Sequence, residues 1–248
     1  MIDVHLHILP GVDDGPANLS DALSLARSLV QEGVHMAVAT PHYNDEYPQL
    51  PASEISERVQ DLQRELDRCA IPLRLLAGHE ALIQPGLAED IQSGRLATLN
   101  GSRYLLFELW NSSWLPETEQ VIFQLRALGV VPVLAHPERY HVIQQDSNRL
   151  KALLEQGVLA QLTAGSLVGM QGNTARKCAE TLLKRGLIHC IASDAHGPGR
   201  RPPAIRQGMQ VAERILGKLQ AEQLIEMHPA AMVQNQSLAV FTATTPHR

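Results

Sequence analysis

A chain of 248 residues with 44% hydrophobic side chains can build one sizeable core and is too short for more than two small domains. Its formal charge of −5, without a long basic run, argues against nucleic acid as the partner. Three scattered cysteines (Cys69, Cys178, Cys190) with no CxxC pair argue against a disulfide scaffold and fit a reducing compartment. With no leader-like start and no apolar run of about eighteen residues, a cytoplasmic protein without direct membrane insertion is expected.

Short β-rich apolar runs alternate with helical patterns along the chain. Strands are predicted at Ile2–His7, His35–Thr40, Leu73–Glu80, Tyr104–Leu109, Val131–Ala135, Val158–Thr163 and Leu187–Ser193. Helices are predicted at Leu19–Glu32, with Asn18 or Ser20 near its start, and at Ser53–Arg68, opened by serine capping chemistry. Further helices are expected at Glu117–Leu128, Asn148–Gln156, Thr174–Arg185, Pro203–Leu216 and Leu219–Met227. Gly33, Gly129, Gly157 and Gly186 each stand just before the next strand, where left-handed helix caps belong. Seven strand–helix alternations without a linker predict one parallel α/β domain over residues 1–241, followed by a loose tail at 242–248.

The predicted strand ends carry the chemistry. Strand one ends in His5 and His7, two residues apart and so on one face. Strand two runs into His42, strand three into His79-Glu80, and strand four into Glu108. Strand five runs into His136-Pro137-Glu138-Arg139, and strand seven into Asp194-Ala195-His196. Strand six, ending in "QLTAGS", offers only polar groups. In a β/α barrel all these ends meet on the face that holds active sites. Imidazoles and carboxylates without cysteine suit Zn, Mn or Fe, and nine or more candidate ligands suffice for two or three ions. Multinuclear sites of this type activate water and clamp both oxygens of a phosphoryl displacement. A lone HxH is weak evidence; concurrence at six strand ends is strong. His79, beside Glu80, should point to the other face and is read as structural, as are His35, His141, His189, His228 and His247. Of Asp13 and Asp14, one is expected to bind metal while the other caps a helix or turns outward.

The ordered pieces "DVHLH", "TPH", "GHE", "FEL", "AHPER" and "SDAH" resemble the polymerase and histidinol phosphatase (PHP) superfamily. "HILPGVDDGP", "AHPERY" and "SDAHGPGRRPP" are similar to one branch of it. That branch is the manganese-dependent bacterial protein-tyrosine phosphatases of capsule and exopolysaccharide clusters, the CpsB/CapC type. The resemblance implies a distorted seven-stranded (β/α)7 barrel and two or three Mn2+ ions, with Fe or Zn as substitutes. It implies a first site of His5, His7, Glu80 and Asp194 and a second of Glu80, Glu108 and His136, with Glu80 bridging. A third would use Asp14, His42 and His196, and Arg139 and Arg201 would hold phosphate. The chain departs from the branch at Gly197 and His228, where Asn is usual. Arg200-Arg201 leaves that loop ambiguous by one residue; Arg201 is preferred because it directly precedes Pro202. The implied substrate is a phosphotyrosyl protein, a bacterial tyrosine autokinase controlling polysaccharide polymerisation, and the chain could act as an oligomer.

A cysteine nucleophile would need C-x5-R. Six residues after Cys69, Cys178 and Cys190 stand Leu75, Lys184 and His196, so none fits. Three rivals are a phosphatase for a small phosphomonoester such as histidinol phosphate, a metal-dependent nuclease, and a silent metal-bound module that binds phosphotyrosine or a partner. The nuclease would want a basic groove, and silent members lose ligands that this chain retains. Trp110 and Trp114, beside Glu108, could rim an aromatic substrate or simply pack over the barrel mouth.

Overall fold

The computed structural model describes residues 1–110 and 117–238. Trp114 and the 242–248 tail lie outside the described residues. Among the described residues nine strands form two parallel sheets, the first holding β1 (Ile2–Leu6), β2 (Met36–Ala39) and β4 (Arg74–Ala77) in the order β1-β2-β4. The second holds β3 (His42–Tyr43), β5 (Glu80–Leu82), β6 (Tyr104–Glu108), β7 (Val131–Ala135), β8 (Leu159–Thr163) and β9 (Cys190–Ala192), in the order β3-β5-β6-β7-β8-β9. The predicted second strand holds as β2, and past Thr40-Pro41 the chain adds the unpredicted β3; the predicted third strand is broken at Gly78-His79, its parts β4 and β5 lying in different sheets. The far edges meet as well: His7 N donates to Ala195 O at 3.0 Å and Asp194 N to His5 O at 2.9 Å. Buried Asp3 fastens this junction, accepting from Ser193 Oγ at 2.5 Å and Ser193 N at 3.0 Å.

Alternation along the strands separates two cores. Ile2, Val4, Val38, Tyr104, Leu106, Val133, Ala135, Leu159, Cys190 and Ala192 form one cluster, closed by Met232 and Val233 from the helix His228–Val233. The opposite faces, with Leu105, Phe107, Leu134, Ala160, Leu162 and Ile191, pack against the helices in a larger cluster. Continuing the first face by period two leads from Tyr104 and Leu106 to Glu108, from Leu159 to Gln161 and Thr163, and from Cys190 and Ala192 to Asp194. The interior is thus apolar below and ionisable at the C-terminal strand ends.

The helices follow the predicted pattern with local corrections. Leu19–Glu32 is capped by Asn18, whose Oδ1 accepts from Asp21 N, and ends at Gly33 with φ 93°. The second helix starts at Ala52 rather than Ser53 and has no side-chain cap; Ala52 N bonds to Arg95 O at 3.1 Å instead. The last predicted helix continues further: Lys218–Glu222 passes through a π-helical stretch, Gln223–Met227, into His228–Val233.

Candidate metal centre

The opening motif folds back on itself. A Cβ on Gly15 would lie 2.7 Å from His7 O, so only glycine lets the loop press against His7. That approach delivers both aspartates. Asp13 Oδ2 accepts from His7 Nδ1 at 2.6 Å and from His42 N at 3.2 Å. Asp14 Oδ1 lies 3.0 Å from His196 Nε2 and 3.5 Å from His42 Nε2. Asp14 therefore faces the cluster, while Asp13 neither caps a helix nor turns outward; it orients a histidine.

Three imidazoles are held in the same sense. His7 Nδ1 is engaged by Asp13, His5 Nδ1 by Gln161 Oε1 at 2.8 Å, and His196 Nδ1 by Asp194 O at 3.0 Å. Each bond leaves Nε2 free and aimed inward, the arrangement that prepares histidine as a metal ligand. Glu80 stands at the centre: Oε2 lies 3.2 Å from His5 Nε2, His7 Nε2 and His42 Nδ1, and Oε1 lies 3.0 Å from His136 Nε2. Asp194 Oδ1 is 3.4 Å from His5 Nε2, and Glu108 Oε1 is 3.3 Å from His42 Nδ1.

Donor atoms converge in three groups: His5, His7 and Glu80; His42, Glu80 and Glu108; and His7, Asp14, His42 and His196. These groups hold seven of the nine expected ligands; Asp194 and His136 stand in none of them but adjoin the cluster through His5 at 3.4 Å and Glu80 at 3.0 Å, and the grouping differs from the expected one in two further ways. His7 reaches the third group as well as the first, and His42 reaches the second, where His136 contacts Glu80 closely but stands 3.9 Å from Glu108. The donor set also passes a fit test for cations. Asp14 Oδ1, His42 Nδ1, Glu80 Oε2, His136 Nδ1 and His196 Nε2 are buried without hydrogen-bond partners among the described residues. A native fold tolerates such a concentration of orphaned oxygens and imidazole nitrogens where an ion satisfies them.

The electrostatics agree. Burial opposes charge on His7, but the Asp13 carboxylate beside it holds the imidazole up at about 9. Burial and the neighbouring His7 push His196 down to about 4. Burial opposes ionisation of Glu80, yet the surrounding histidines hold its carboxyl well below the usual range.

The arginines reach the same place. Arg139 Nη2 pairs with Asp194 Oδ2 at 2.5 Å and Arg201 Nη2 with Asp14 Oδ2 at 2.6 Å. His136, Asp194 and Arg201 have φ of 39°, 51° and 53°, a left-handed backbone that costs a non-glycine residue about 1–3 kcal/mol and concentrates at functional sites. A cavity of about 430 Å³ opens over the cluster, lined by Asp14, His42, Glu80, Glu108, His136, Asp194, Arg139 and Arg201. Its outer wall carries Tyr47, Leu82, Leu109 and Trp110, with the Tyr47 ring stacked on His42 at 5.3 Å and 10°.

The histidines read as structural stay outside. His79 is buried, accepts from Ala97 N at 2.9 Å and is pushed by burial to about 4. His35 pairs with Glu226, His189 accepts from Ala160 N, and His228 bonds to His189 O; His247 lies outside the described residues. Sequence reasoning missed Gln161 as a partner of His5, although a glutamine within a buried strand is itself a signal of a fixed polar contact.

The family profile described as "Capsular polysaccharide synthesis, CpsB/CapC" matches residues 1–234. The chain belongs to the CpsB/CapC family. It is 33% identical over 238 residues to the tyrosine-protein phosphatase YwqE of Bacillus subtilis (strain 168), covering 96% of this chain and 93% of that protein. It is 35% identical over 207 residues to a putative tyrosine-protein phosphatase CapC of Staphylococcus aureus, covering 84% and 81%. Among solved structures it superposes with TM-score 0.93 and 32% identity, over 96% of each chain, on one reported with YwqE and with CpsB from Streptococcus pneumoniae, described as unique metal-dependent tyrosine phosphatases. The lactonase Lmo2620 of Listeria monocytogenes, 12% identical with TM-score 0.60, shares the fold alone.

Proposed function

We propose that this CpsB/CapC chain is a metal-dependent protein-tyrosine phosphatase whose catalytic unit is the single domain 1–241. The observation that carries the reading is the convergence of His5, His7, Asp14, His42, Glu80, Glu108, His136, Asp194 and His196 beneath a cavity that also holds Arg139 and Arg201. The first ion would be held by His5, His7, Glu80 and Asp194. The second would take Glu80, Glu108 and His136, and the third Asp14, His42 and His196. Mixed ligation by five imidazoles and four carboxylates, without thiolate, is compatible with Mn2+, with Fe or Zn as substitutes. When bound, the ions supply Lewis-acid neutralisation of phosphate and activation of water.

The protein's own groups do the rest. Arg139 and Arg201 present guanidinium forks that match the non-bridging phosphate oxygens and favour the charge that develops on them. Asp13, Gln161 and the Asp194 carbonyl hold the imidazoles so that Nε2, rather than Nδ1, faces the site. Tyr47 and Trp110 give the cavity an aromatic rim on which a phenyl ring can lie. No thiol takes part: burial pushes the Cys178 thiol up to about 12, and Cys190 belongs to the apolar interior cluster. The natural substrate would be a phosphotyrosyl protein of capsule or exopolysaccharide synthesis, a tyrosine autokinase, met in the cytoplasm.

The test removes metal with a chelator, restores Mn2+, and compares initial rates on phosphotyrosyl peptide, phosphoseryl peptide and histidinol phosphate. The reading expects chelator-sensitive, Mn-restored activity that favours the phosphotyrosyl peptide. Preference for histidinol phosphate moves the chain to small phosphomonoesters. Full ligand loading with no turnover of any of the three makes it a binding module.

A further inference from the structure

One ionisable side chain next to this site has no role in the account above. Glu138 stands between two functional neighbours, His136 and Arg139, yet it turns away from the ligand cluster and is 0% exposed. Its Oε1 accepts from the Ser166 hydroxyl at 2.6 Å and from Thr163 N at 3.3 Å. Its Oε2 has no hydrogen-bond partner among the described residues. Burying a carboxylate this completely is strongly unfavourable unless a cation answers it. Among the described residues the cation within 4.0 Å is Arg139, through Nε, which also lacks a hydrogen-bond partner. Arg139 is gripped elsewhere by the same strand end, because its Nη2 donates to Thr163 Oγ1 at 3.3 Å. Thr163 and Ser166 thus tie the acid and the base to one short turn of backbone, the start of the helix Ala164–Leu167.

We propose that Glu138 is a positioning residue for Arg139. Its carboxylate, fixed by Ser166 and Thr163, lies 4.0 Å from Arg139 Nε and answers the charge at the root of the guanidinium, while Nη2 reaches Thr163 Oγ1 and Asp194 Oδ2 beside the cavity. The inference rests on the reading of Arg139 as a phosphate ligand. It goes beyond that reading by giving the arginine a dedicated buried counter-charge. A guanidinium on a flexible stem must be held to act as a preorganised donor, and a misplacement of about 1 Å can cost about 10²-fold in rate. A purely structural Glu138 would instead stitch the turn after β7 to Ser166, with no bearing on phosphate.

A double-mutant cycle separates the two, with Glu138→Gln, Arg139→Ala and the pair assayed as Mn-loaded protein. The readouts are kcat and KM on a phosphotyrosyl peptide, the inhibition constant of inorganic phosphate, and metal content by elemental analysis. Glu138→Gln is expected to lower kcat/KM about 10-fold and weaken phosphate inhibition by a similar factor, with metal content unchanged. In the Arg139→Ala background the same change should alter neither quantity by more than about twofold. Ser166→Ala, which frees the carboxylate without removing its charge, should give a smaller loss that also vanishes without Arg139. It carries the test if Glu138→Gln does not fold. If Arg139→Ala is harmful while the Glu138 and Ser166 variants are silent, or act equally with and without the arginine, the positioning role is overturned and the phosphate reading stands. If Arg139→Ala itself is silent, both are overturned.

Discussion

Replacing Arg201 and Arg200 separately by alanine tests the site more sharply than any other pair, because the two residues are adjacent and chemically identical. Arg201 is 30% exposed, with Nη2 2.6 Å from Asp14 Oδ2 and Nη1 3.8 Å from Asp194 Oδ2. Its register is fixed from outside, since His196 N donates to Arg201 O at 3.0 Å and closes the loop. Arg200 is 75% exposed and reaches the same Asp14 oxygen only at 3.7 Å. A solvated pair of that kind is worth about 0–1 kcal/mol and is screened by salt, so losing it should change kcat/KM by at most about fivefold. A partly desolvated fork aimed at the phosphate is worth about 3 kcal/mol in the transition state, or about 10²-fold in kcat/KM. The assay is steady-state hydrolysis of a phosphotyrosyl peptide in saturating Mn2+, with metal content measured on the same preparations. Arg201→Ala should keep its metal and lose about 10²-fold; Arg200→Ala should stay near wild type and converge on it at high salt. A crippled Arg200→Ala beside a silent Arg201→Ala would refute the loop register and with it the charge-stabilising role assigned to Arg201.

Glu80→Gln should lose more bound Mn2+ than Glu108→Gln, since Glu80 stands within 3.2 Å of four imidazoles while Glu108 approaches His42 at 3.3 Å and His136 only at 3.9 Å. Equal losses by elemental analysis would mean that Glu80 does not bridge. Gly208→Ala should destabilise the fold, because the new Cβ would lie 2.8 Å from Ala164 Cβ and 2.9 Å from Ala164 O. Overpacking of about 1–3 kcal/mol outweighs a gain of up to about 1 kcal/mol in helix propensity, so Tm should fall by a few degrees. A rise in Tm by calorimetry would show that the two helices separate at no cost. An alkylating reagent at pH 8 should modify Cys69 in the folded protein and all three cysteines in denaturant, since Cys178 is held up at about 12 and Cys190 is fully buried. Rapid native labelling of Cys178 would contradict its burial, and loss of turnover after Cys69 alone is labelled would contradict the thiol-free mechanism.

Most of the candidate ligands stood out in the sequence because they are ionisable residues in places where a strand should be ending. The helix caps at Gly33, Gly129, Gly157 and Gly186 were legible for an equally local reason, and all four have the expected positive φ. What escaped was non-local. The run Leu73–Glu80 reads as one strand, but the chain changes sheets at Gly78-His79, and a change of partner leaves no mark on an apolar run. Gln161, Asp13 and Glu138 each act on a residue brought to them by the fold, so neither spacing nor periodicity could announce Glu138 or settle Asp13 against Asp14. The helix Ala164–Leu167 is four residues long, too short to show a 3.6-residue period.

The left-handed residues explain how regular parallel strands yield so dense a site. Along β7, Val133 and Ala135 point into the interior cluster, so a continued strand would send His136 outward toward the helices. The backbone at His136 instead turns to φ 39°, and the ring returns inward to within 3.0 Å of Glu80. On β9 the phase is opposite, because Ala192 and Asp194 already share the inner face. There the left-handed turn at Asp194, φ 51°, ends the strand and exposes the Asp194 carbonyl to His196 Nδ1. One turn therefore corrects the facing of a ligand, while the other lets a single residue offer a carboxylate to the cluster and a carbonyl to the next histidine. Period-two geometry accounts for His5 and His7 at the end of β1 and for Glu108 at the end of β6. Turns with a local backbone cost bring in His136 and Arg139 after β7, and His196 and Arg201 beside Asp194 after β9. Nine candidate ligands and two arginines can then gather above an interior whose cluster is apolar a layer below, with the Asp3–Ser193 pair at its edge.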